Sequence, residues 1–166
     1  MTELTDEIQI ALKAGLWYVA LTATLTLPDI CAALESPDGA TSASRYKQWY
    51  RTWLATKYER MTEDDIYSLR CGVVHQGRFG HPKMQYARII FVPSHMGRMH
   101  NNLFGTPDRR MLQLSVPEFC QDVIESVLEW HRSKESDIHV QANSQRLLQR
   151  RPNGLPQYQL GFEVIA

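Results

Sequence analysis

The segment Asp64–Gly77 reads DDIYSLRCGVVHQG, and it is the stretch that decides the fold class. Its apolar residues Ile66, Leu69 and Val73 recur at intervals of three and four positions, which brings side chains to one face of an α-helix. A helix of this kind buries its apolar face against other elements and turns its polar face to solvent. The segment therefore predicts an amphipathic helix that packs within a larger helical core.

Both ends of this helix are marked in the sequence. Thr62 and Asp65 have the spacing of a capping box, in which the two side chains satisfy backbone N–H groups at the start of a helix. Gly77 lacks a Cβ and suits the left-handed conformation that ends many helices. The sequence therefore predicts a helix that begins near Glu63 and stops at about Gly77.

The rest of the chain predicts the surrounding elements. Further helices are expected at 6–35 as a pair whose second member begins at Pro28, from Arg45 to about Tyr58, and from Glu118 to about Ser133. Strands are expected where branched and aromatic residues are enriched, at 86–92, 111–116 and 158–165. The predicted fold class is mainly α, a helical bundle with a small β-hairpin or three-stranded sheet. The whole chain, 1–166, is expected to form one domain, with 79–116 as a basic strand-and-loop insertion.

Composition argues against several classes of protein. The formal net charge is zero, so no global attraction to nucleic acid or to an anionic membrane is expected. Three cysteines without CxxC spacing argue against a disulfide framework and a zinc ribbon, and favour a reducing compartment. The first residues are acidic where a secretory signal is basic, and the longest uncharged stretch, Ala14 to Pro28, is too short to span a bilayer. A cytoplasmic chain without a membrane segment is therefore expected.

Charge is nevertheless segregated along the chain. Between Arg78 and Arg110 the sequence has six Lys or Arg residues, three histidines and one acid. A basic edge that binds RNA phosphates would consist of Arg78, Lys83, Arg88, Arg98, Arg109 and Arg110. The alternative is an ordinary basic loop that is simply solvated.

Arg70 and His75 are the candidates for chemistry. Histidine titrates near pH 6.5, so an imidazole can take and give a proton near neutrality. A guanidinium can meet the negative charge of a phosphate with two parallel hydrogen bonds. In an ideal helix, residues five positions apart point about 140° apart. The two side chains can therefore meet only if the helix loosens before His75 or if Arg70 curls around it.

An arginine, four mostly apolar residues and a histidine, late in an amphipathic helix, resemble the R-x4–6-H signature of the HEPN superfamily. The resemblance covers roughly residues 6–78 and the helix at 118–133. It implies a homodimeric helical bundle of toxin or phage-defence type, in which two Arg–His sets line one cleft and cleave RNA with no metal or other cofactor. By this resemblance His75 is the acid–base group and Arg70 the phosphate anchor, and an antitoxin-like protein is a candidate partner.

One departure from the family pattern leaves a second function open. Active members usually carry Asn, Asp or His directly after the motif arginine, whereas this chain has Cys71, a weak hydrogen-bond donor. The alternative is a catalytically inactive HEPN-like module that binds RNA, a nucleotide or a protein. A third alternative is an interaction domain with no role in nucleic-acid binding.

The same residues also have other interpretations. Arg70 could form a salt bridge with Asp65 or Glu63 at the bundle surface, and His75 could meet exposed carbonyls at the helix end. Cys71 beside Arg70 could be a nucleophile, since a nearby cation lowers a thiol pKa. A metal group could be built from His81, His95, His100 and Asp108, but arginines crowd these histidines and no metal site is expected.

Overall fold

The computed structural model describes residues 1–78, 88–95, 97–156 and 158–166. This part of the chain is mainly helical, with a small three-stranded sheet. The α-helices are α1 (Thr2–Lys13), α2 (Trp17–Glu35), α3 (Ala43–Trp53), α4 (Glu63–Gln76), α5 (Val116–Ser133) and α6 (Ile138–Ser144). The strands are β1 (Arg88–Val92), β2 (Asn102–Phe104), β3 (Met111–Ser115), β4 (Arg150–Arg151), β5 (Gly154–Leu155), β6 (Gln159–Leu160) and β7 (Val164–Ile165). Short 3-10 helices lie at Ala55–Lys57 and Gly97–Met99.

Helix α2 lies at the centre of the bundle, in contact with α1, α3, α4, α5 and α6. Its length and composition would also allow it to cross a membrane, but more than half of its most apolar window is buried inside the protein. Core helices share this apolar character. The fully buried side chains include Leu25 and Leu27 of α2 itself and Tyr46, Phe119 and Trp130 of neighbouring helices.

The break between the first two helices differs from the sequence expectation. It lies at Gly15, whose φ of +71° is left-handed, and α2 begins at Trp17. Pro28 lies inside α2 and does not start a second helix. A proline inside a helix is unfavourable, because its ring removes one helical N–H and crowds the preceding turn. Pro28 is buried among the contacts of α2 with the other helices, and this tertiary burial outweighs its local preference for a helix start.

Helix α4 begins and ends as the sequence predicts. The Thr62 hydroxyl accepts from Asp65 N–H, and the Asp65 carboxylate accepts from Thr62 N–H, which confirms the capping box. Gly77 has φ +60° and ends the helix. α4 packs against α2 and α3, so its position is set by the core of the bundle. The preceding helix is shorter than expected, because α3 ends at Trp53 and a 3-10 turn follows.

The sheet is mixed, with the order β1-β3-β2. β1 and β3 are parallel, from Arg88 opposite Met111 to Val92 opposite Ser115, and β2 is antiparallel to β3. The three-stranded sheet is confirmed, but its third strand is β2 and not 158–165. Residues 158–165 instead hold β6 and β7, which pair locally with β5 and β4. Part of the expected first strand, 86–87, lies outside the described residues.

The sheet shares its core with the helices. Ile89, Leu112 and Leu114 are buried in the same hydrophobic cluster as the helical side chains. Ser115 ends β3, and its hydroxyl accepts from the Glu118 N–H as the cap of α5. Side chains of β1 and β3 are therefore part of the helical core, whereas the turns of the segment 88–115 that the structure describes are exposed. Helix α6, which the sequence patterns did not predict, packs against α2.

Candidate functional site

The side chains of Arg70 and His75 meet at the exposed end of α4. Nη1 of Arg70 lies 2.6 Å from Nε2 of His75. Because α4 continues through Gln76, the helix does not end before His75. The arginine side chain reaches along the helix to the imidazole, and the last turn is also loosened, so both routes that the sequence left open contribute to the contact.

The last turn of α4 is wider than an ideal α-turn. The N–H groups of Gly77 and Arg78 both donate to the carbonyl of Gly72, five and six residues back, where a regular helix spans four. A Cβ at Gly72 would lie 2.6 Å from the Arg78 carbonyl oxygen. Only a glycine at position 72 allows the chain at Arg78 to approach so closely. This approach closes the final turn of α4, which includes His75.

The contact between Arg70 and His75 defines the protonation state of the imidazole. A guanidinium has only donors, so Nε2 of His75 must accept. The imidazole is therefore neutral in this arrangement, with its proton on Nδ1. A proton on Nε2 would set two donors against each other and break the contact.

Asp29 of α2 anchors the arginine. Its Oδ2 accepts from Nε of Arg70 at 2.6 Å, and the two side chains are 12% and 16% exposed. The expected alternative partners are engaged elsewhere, since Asp65 forms the capping box and Glu63 pairs with Arg51. The sequence analysis did not select Asp29. The sequence feature that could have identified Asp29 is a single acidic residue that directly follows a long uncharged stretch of the chain.

Burial and pairing act in opposite directions on the two charges. Burial raises the pKa of Asp29, and the charge and hydrogen bond of Arg70, with a smaller contribution from Thr41, only partly offset that shift. Burial lowers the pKa of Arg70, but Asp29 and the neighbouring Cys71 more than offset it, and the net shift is upward. The ion pair therefore positions the guanidinium while the carboxylate bears a desolvation cost.

Two further side chains border the pair. The Cys71 thiol lies 4.0 Å from Nη1 of Arg70 and is partly exposed. Burial raises the pKa of Tyr67, and its hydrogen bond with Cys71 adds to that shift. The ammonium of Lys47 lies 5.4 Å from the centre of the Tyr67 ring. Arg70 thus provides a cation with an exposed imidazole beside it, an arrangement that can bind an anionic oxygen and exchange a proton with it.

The basic residues selected from the sequence occupy separate places. Arg88 opens β1 opposite Met111, so Arg110 lies at the same end of the sheet. Arg109 joins them, because its carbonyl lies against Gly105 in the turn between β2 and β3. Arg98 is near the opposite end, where Gly97 N–H donates to the Glu118 carboxylate of α5.

The remaining members of the basic set follow α4. Arg78 is exposed directly after the helix, and Lys83 lies outside the described residues. Arg78, Arg88, Arg98, Arg109 and Arg110 are all exposed, and within the described ranges none of them forms a salt bridge. The structure thus brings Arg88, Arg109 and Arg110 to one edge and leaves Arg98 apart from them.

The histidines considered for a metal do not cluster. His95 and Asp108 are exposed, whereas His100 is half-buried in contacts with Tyr58 and Ser115. His81 lies outside the described residues. Among the residues that the structure describes, no group of three or more His, Cys, Asp or Glu side chains could hold a metal ion.

Comparison with known proteins found no counterpart, since no protein-family model, no curated protein and no solved structure matches this chain. The resemblance to HEPN domains therefore depends on the R-x4-H motif and on the layout of the helices. The geometry of Asp29, Arg70 and His75 is independent of that resemblance.

Proposed function

We propose that this chain is a HEPN-like cytoplasmic endoribonuclease of toxin or phage-defence type, which cleaves RNA as a homodimer and without a metal. The observation that carries the proposal is the 2.6 Å contact between the Arg70 guanidinium and the His75 imidazole at an exposed helix end. Support also comes from Asp29, which holds one edge of the guanidinium and leaves the other edge for a phosphate.

The proposed reaction begins when a phosphodiester replaces His75 on the Nη atoms of Arg70. The freed Nε2 of His75 then takes the proton from the ribose 2′-hydroxyl, whose oxygen attacks the phosphorus. As the bond to the 5′-oxygen breaks, the His75 side chain of a second copy, present as an imidazolium, donates a proton to that oxygen and becomes neutral. The products are a 2′,3′-cyclic phosphate and a 5′-hydroxyl, and Arg70 stabilises the charge that develops between these states.

The need for a second copy follows from the direction of attack. The entering 2′-oxygen and the departing 5′-oxygen lie on opposite sides of the phosphorus in an in-line displacement. One imidazole cannot reach both oxygens at once, whereas two copies facing each other would place an imidazole on each side. A homodimer is therefore part of the proposal.

The test is a cleavage assay with the purified full chain, a defined RNA and EDTA present throughout. We expect products that end in 2′,3′-cyclic phosphate, and a rate about 10²–10⁴-fold lower in His75→Ala, the range that a positioned acid–base group contributes. His95→Ala replaces another exposed histidine and should leave the rate unchanged. Cleavage that disappears with EDTA, or that persists unchanged in His75→Ala, would contradict the proposal.

A specific observation favours a second candidate, an inactive module that binds RNA, a nucleotide or an antitoxin-like protein. The Cys71 thiol lies 4.0 Å from Nη1 of Arg70, and it is a weak donor at the position where active HEPN members usually carry a polar side chain. Salt-dependent RNA binding that Arg70→Gln weakens, with no turnover, would select this function. Absence of binding even at low salt would select an interaction domain without a nucleic-acid role.

A further inference from the structure

A second polar cluster lies around His100, where the segment 97–101 meets α5 and the turn after α3. The backbone N–H of Ser115 lies 3.0 Å from Nδ1 of His100. The Tyr58 hydroxyl lies 3.1 Å from Nε2 of the same ring and 2.8 Å from Oδ2 of Asp122. His100 is half-buried, and its ring stands edge-on to the Tyr58 ring.

These contacts determine which atoms of the cluster carry a proton. A backbone N–H can only donate, so Nδ1 of His100 accepts and its proton is on Nε2. Nε2–H then donates to the Tyr58 oxygen, and the Tyr58 hydroxyl donates to Asp122. Burial raises the pKa of Tyr58 far above its usual range, with the charge of Asp122 adding to the shift, which keeps the hydroxyl protonated. His100 is consequently neutral in this structure.

Three further hydrogen bonds fasten the same segment. Gly97 N–H donates to the Glu118 carboxylate at 3.0 Å. The backbone carbonyl of Asn101 accepts from Nη1 of Arg60 at 2.9 Å, and the side-chain amide of Asn101 donates to the Lys57 backbone carbonyl at 3.1 Å. Asn101 has φ +54°, in the left-handed region that asparagine adopts more readily than most residues with a side chain. The segment is therefore held by contacts at both of its ends, with His100 between them.

We propose that His100 is a proton-controlled latch, and that protonation of its Nδ1 releases the segment 97–101 from α5. An added proton on Nδ1 would face the Ser115 N–H, and two donors cannot share this contact. The inference is independent of the ribonuclease proposal, although the segment carries Arg98 of the expected basic set.

The charges around His100 decide the direction of the pH response. Glu118 and Asp122 of α5 approach the ring nitrogens at 3.9 and 3.8 Å and favour the imidazolium, but burial outweighs them and lowers the pKa of His100. Other titratable or charged groups of the packed elements include Lys57, Tyr58, Glu59, Arg60, Arg98, Cys120 and Glu125. The latch is therefore closed above about pH 6.5, the ordinary histidine value. It opens as the pH falls from there through the lowered pKa of His100.

The experiment is an NMR titration of the full chain between about pH 7.5 and pH 5, the interval in which histidine changes charge. At the upper end, the ring 15N shifts of His100 should report a neutral Nε2–H tautomer. On acidification, amide exchange of Ser115, corrected for its intrinsic rate, should accelerate about fivefold, the factor that corresponds to the loss of one typical hydrogen bond. His100→Asn offers Ser115 an acceptor that does not titrate, so this acceleration should disappear, whereas the control His95→Asn should retain it.

The wild-type titration decides the proposal even if His100→Asn does not fold. A neutral Nδ1–H tautomer, or Ser115 exchange that does not change while His100 takes up its proton, overturns the latch. An acceleration that persists in a folded His100→Asn protein also overturns it. None of these measurements depends on whether the chain cleaves RNA, so failure of the latch and failure of the ribonuclease proposal are distinguishable.

Discussion

Nε of Arg70 donates to Oδ2 of Asp29 across 2.6 Å, and this ion pair joins the motif helix α4 to the central helix α2. The arginine is thereby held by its inner edge while Nη1 reaches His75. A side chain with many rotamers is confined to one position, which reduces the entropy that binding a phosphate would cost. Asp29 is in this sense a positioning residue for the proposed site.

Asp29→Asn should lower both the cleavage rate and the stability. The variant leaves the Arg70 guanidinium, whose side chain is 16% exposed, without its charged partner, and we expect the free energy of unfolding to fall by about 1–3 kcal/mol. Weaker anchoring of Arg70 should reduce the cleavage rate about tenfold, which corresponds to about 1.4 kcal/mol of lost transition-state stabilisation. Chemical denaturation and the EDTA-containing cleavage assay measure the two effects.

The matched control for this variant is Asp64→Asn, which removes an exposed partner of Lys47 on the same helix as Arg70. It should alter neither the unfolding free energy by more than about 1 kcal/mol nor the cleavage rate. Equal losses of activity in both variants would show that Asp29 has no special role in positioning the arginine.

Arg70→Met should produce a loss of stability that depends on pH. Without the guanidinium, the Asp29 carboxylate remains buried without its cation, which should cost about 1–3 kcal/mol at neutral pH. Its pKa, already raised by burial, should rise further. A carboxyl group whose pKa is raised on folding destabilises the protein above that pKa, so the loss should shrink as the pH falls through it. Urea unfolding at several pH values measures this.

Arg51→Met provides the comparison, since Arg51 pairs with Glu63 at the surface. Its loss should remain under about 1 kcal/mol. If the Arg70→Met loss is as large below the pKa of Asp29 as at neutral pH, an unpaired carboxylate is not its cause.

Gly72→Ala should disrupt the end of α4. The added Cβ would lie 2.6 Å from the Arg78 carbonyl oxygen, a backbone atom that cannot move without opening the final turn. We expect a loss of about 1–3 kcal/mol in unfolding free energy, together with reduced cleavage because this turn carries His75. Thermal and chemical denaturation measure the first effect.

Gly77→Ala separates steric crowding from backbone strain in the same turn. No atom lies within 4 Å of a Cβ at Gly77, but its φ of +60° disfavours alanine. The expected loss is about 1–2 kcal/mol, and Gly77→Asn should recover part of it, since asparagine tolerates this conformation. A Gly72→Ala protein as stable as the wild type would contradict the close approach.

Thr62→Ala should remove the first half of the capping box. The Thr62 hydroxyl accepts from the Asp65 N–H, and its loss should lower the unfolding free energy by about 1 kcal/mol. Thr62→Ser keeps the hydroxyl and should restore most of that stability. A fully stable alanine variant would indicate that tertiary contacts alone hold the start of α4.

The parts of the fold that were predictable depend on interactions close in sequence. The capping box acts over three residues, and the left-handed Gly77 is a local backbone preference. Apolar spacing likewise predicted α4 and α5 and the mainly helical class. The same local rules failed at Pro28, where burial in the centre of the bundle outweighs the preference of proline for a helix start.

The sequence by itself determined α4 and its two ends, because short-range backbone hydrogen bonds and helical spacing decide these features. Regular helical spacing points residues 70 and 75 about 140° apart, so the contact between Arg70 and His75 was visible only in the structure. Only the tertiary structure decided that Asp29 is the partner of Arg70, 41 positions away. It also decided that β1 and β3 run parallel, and that Arg98 is separated from Arg88 and Arg110. Each of these depends on how the helices and strands pack against α2 and α5, and local spacing carries no information about that packing.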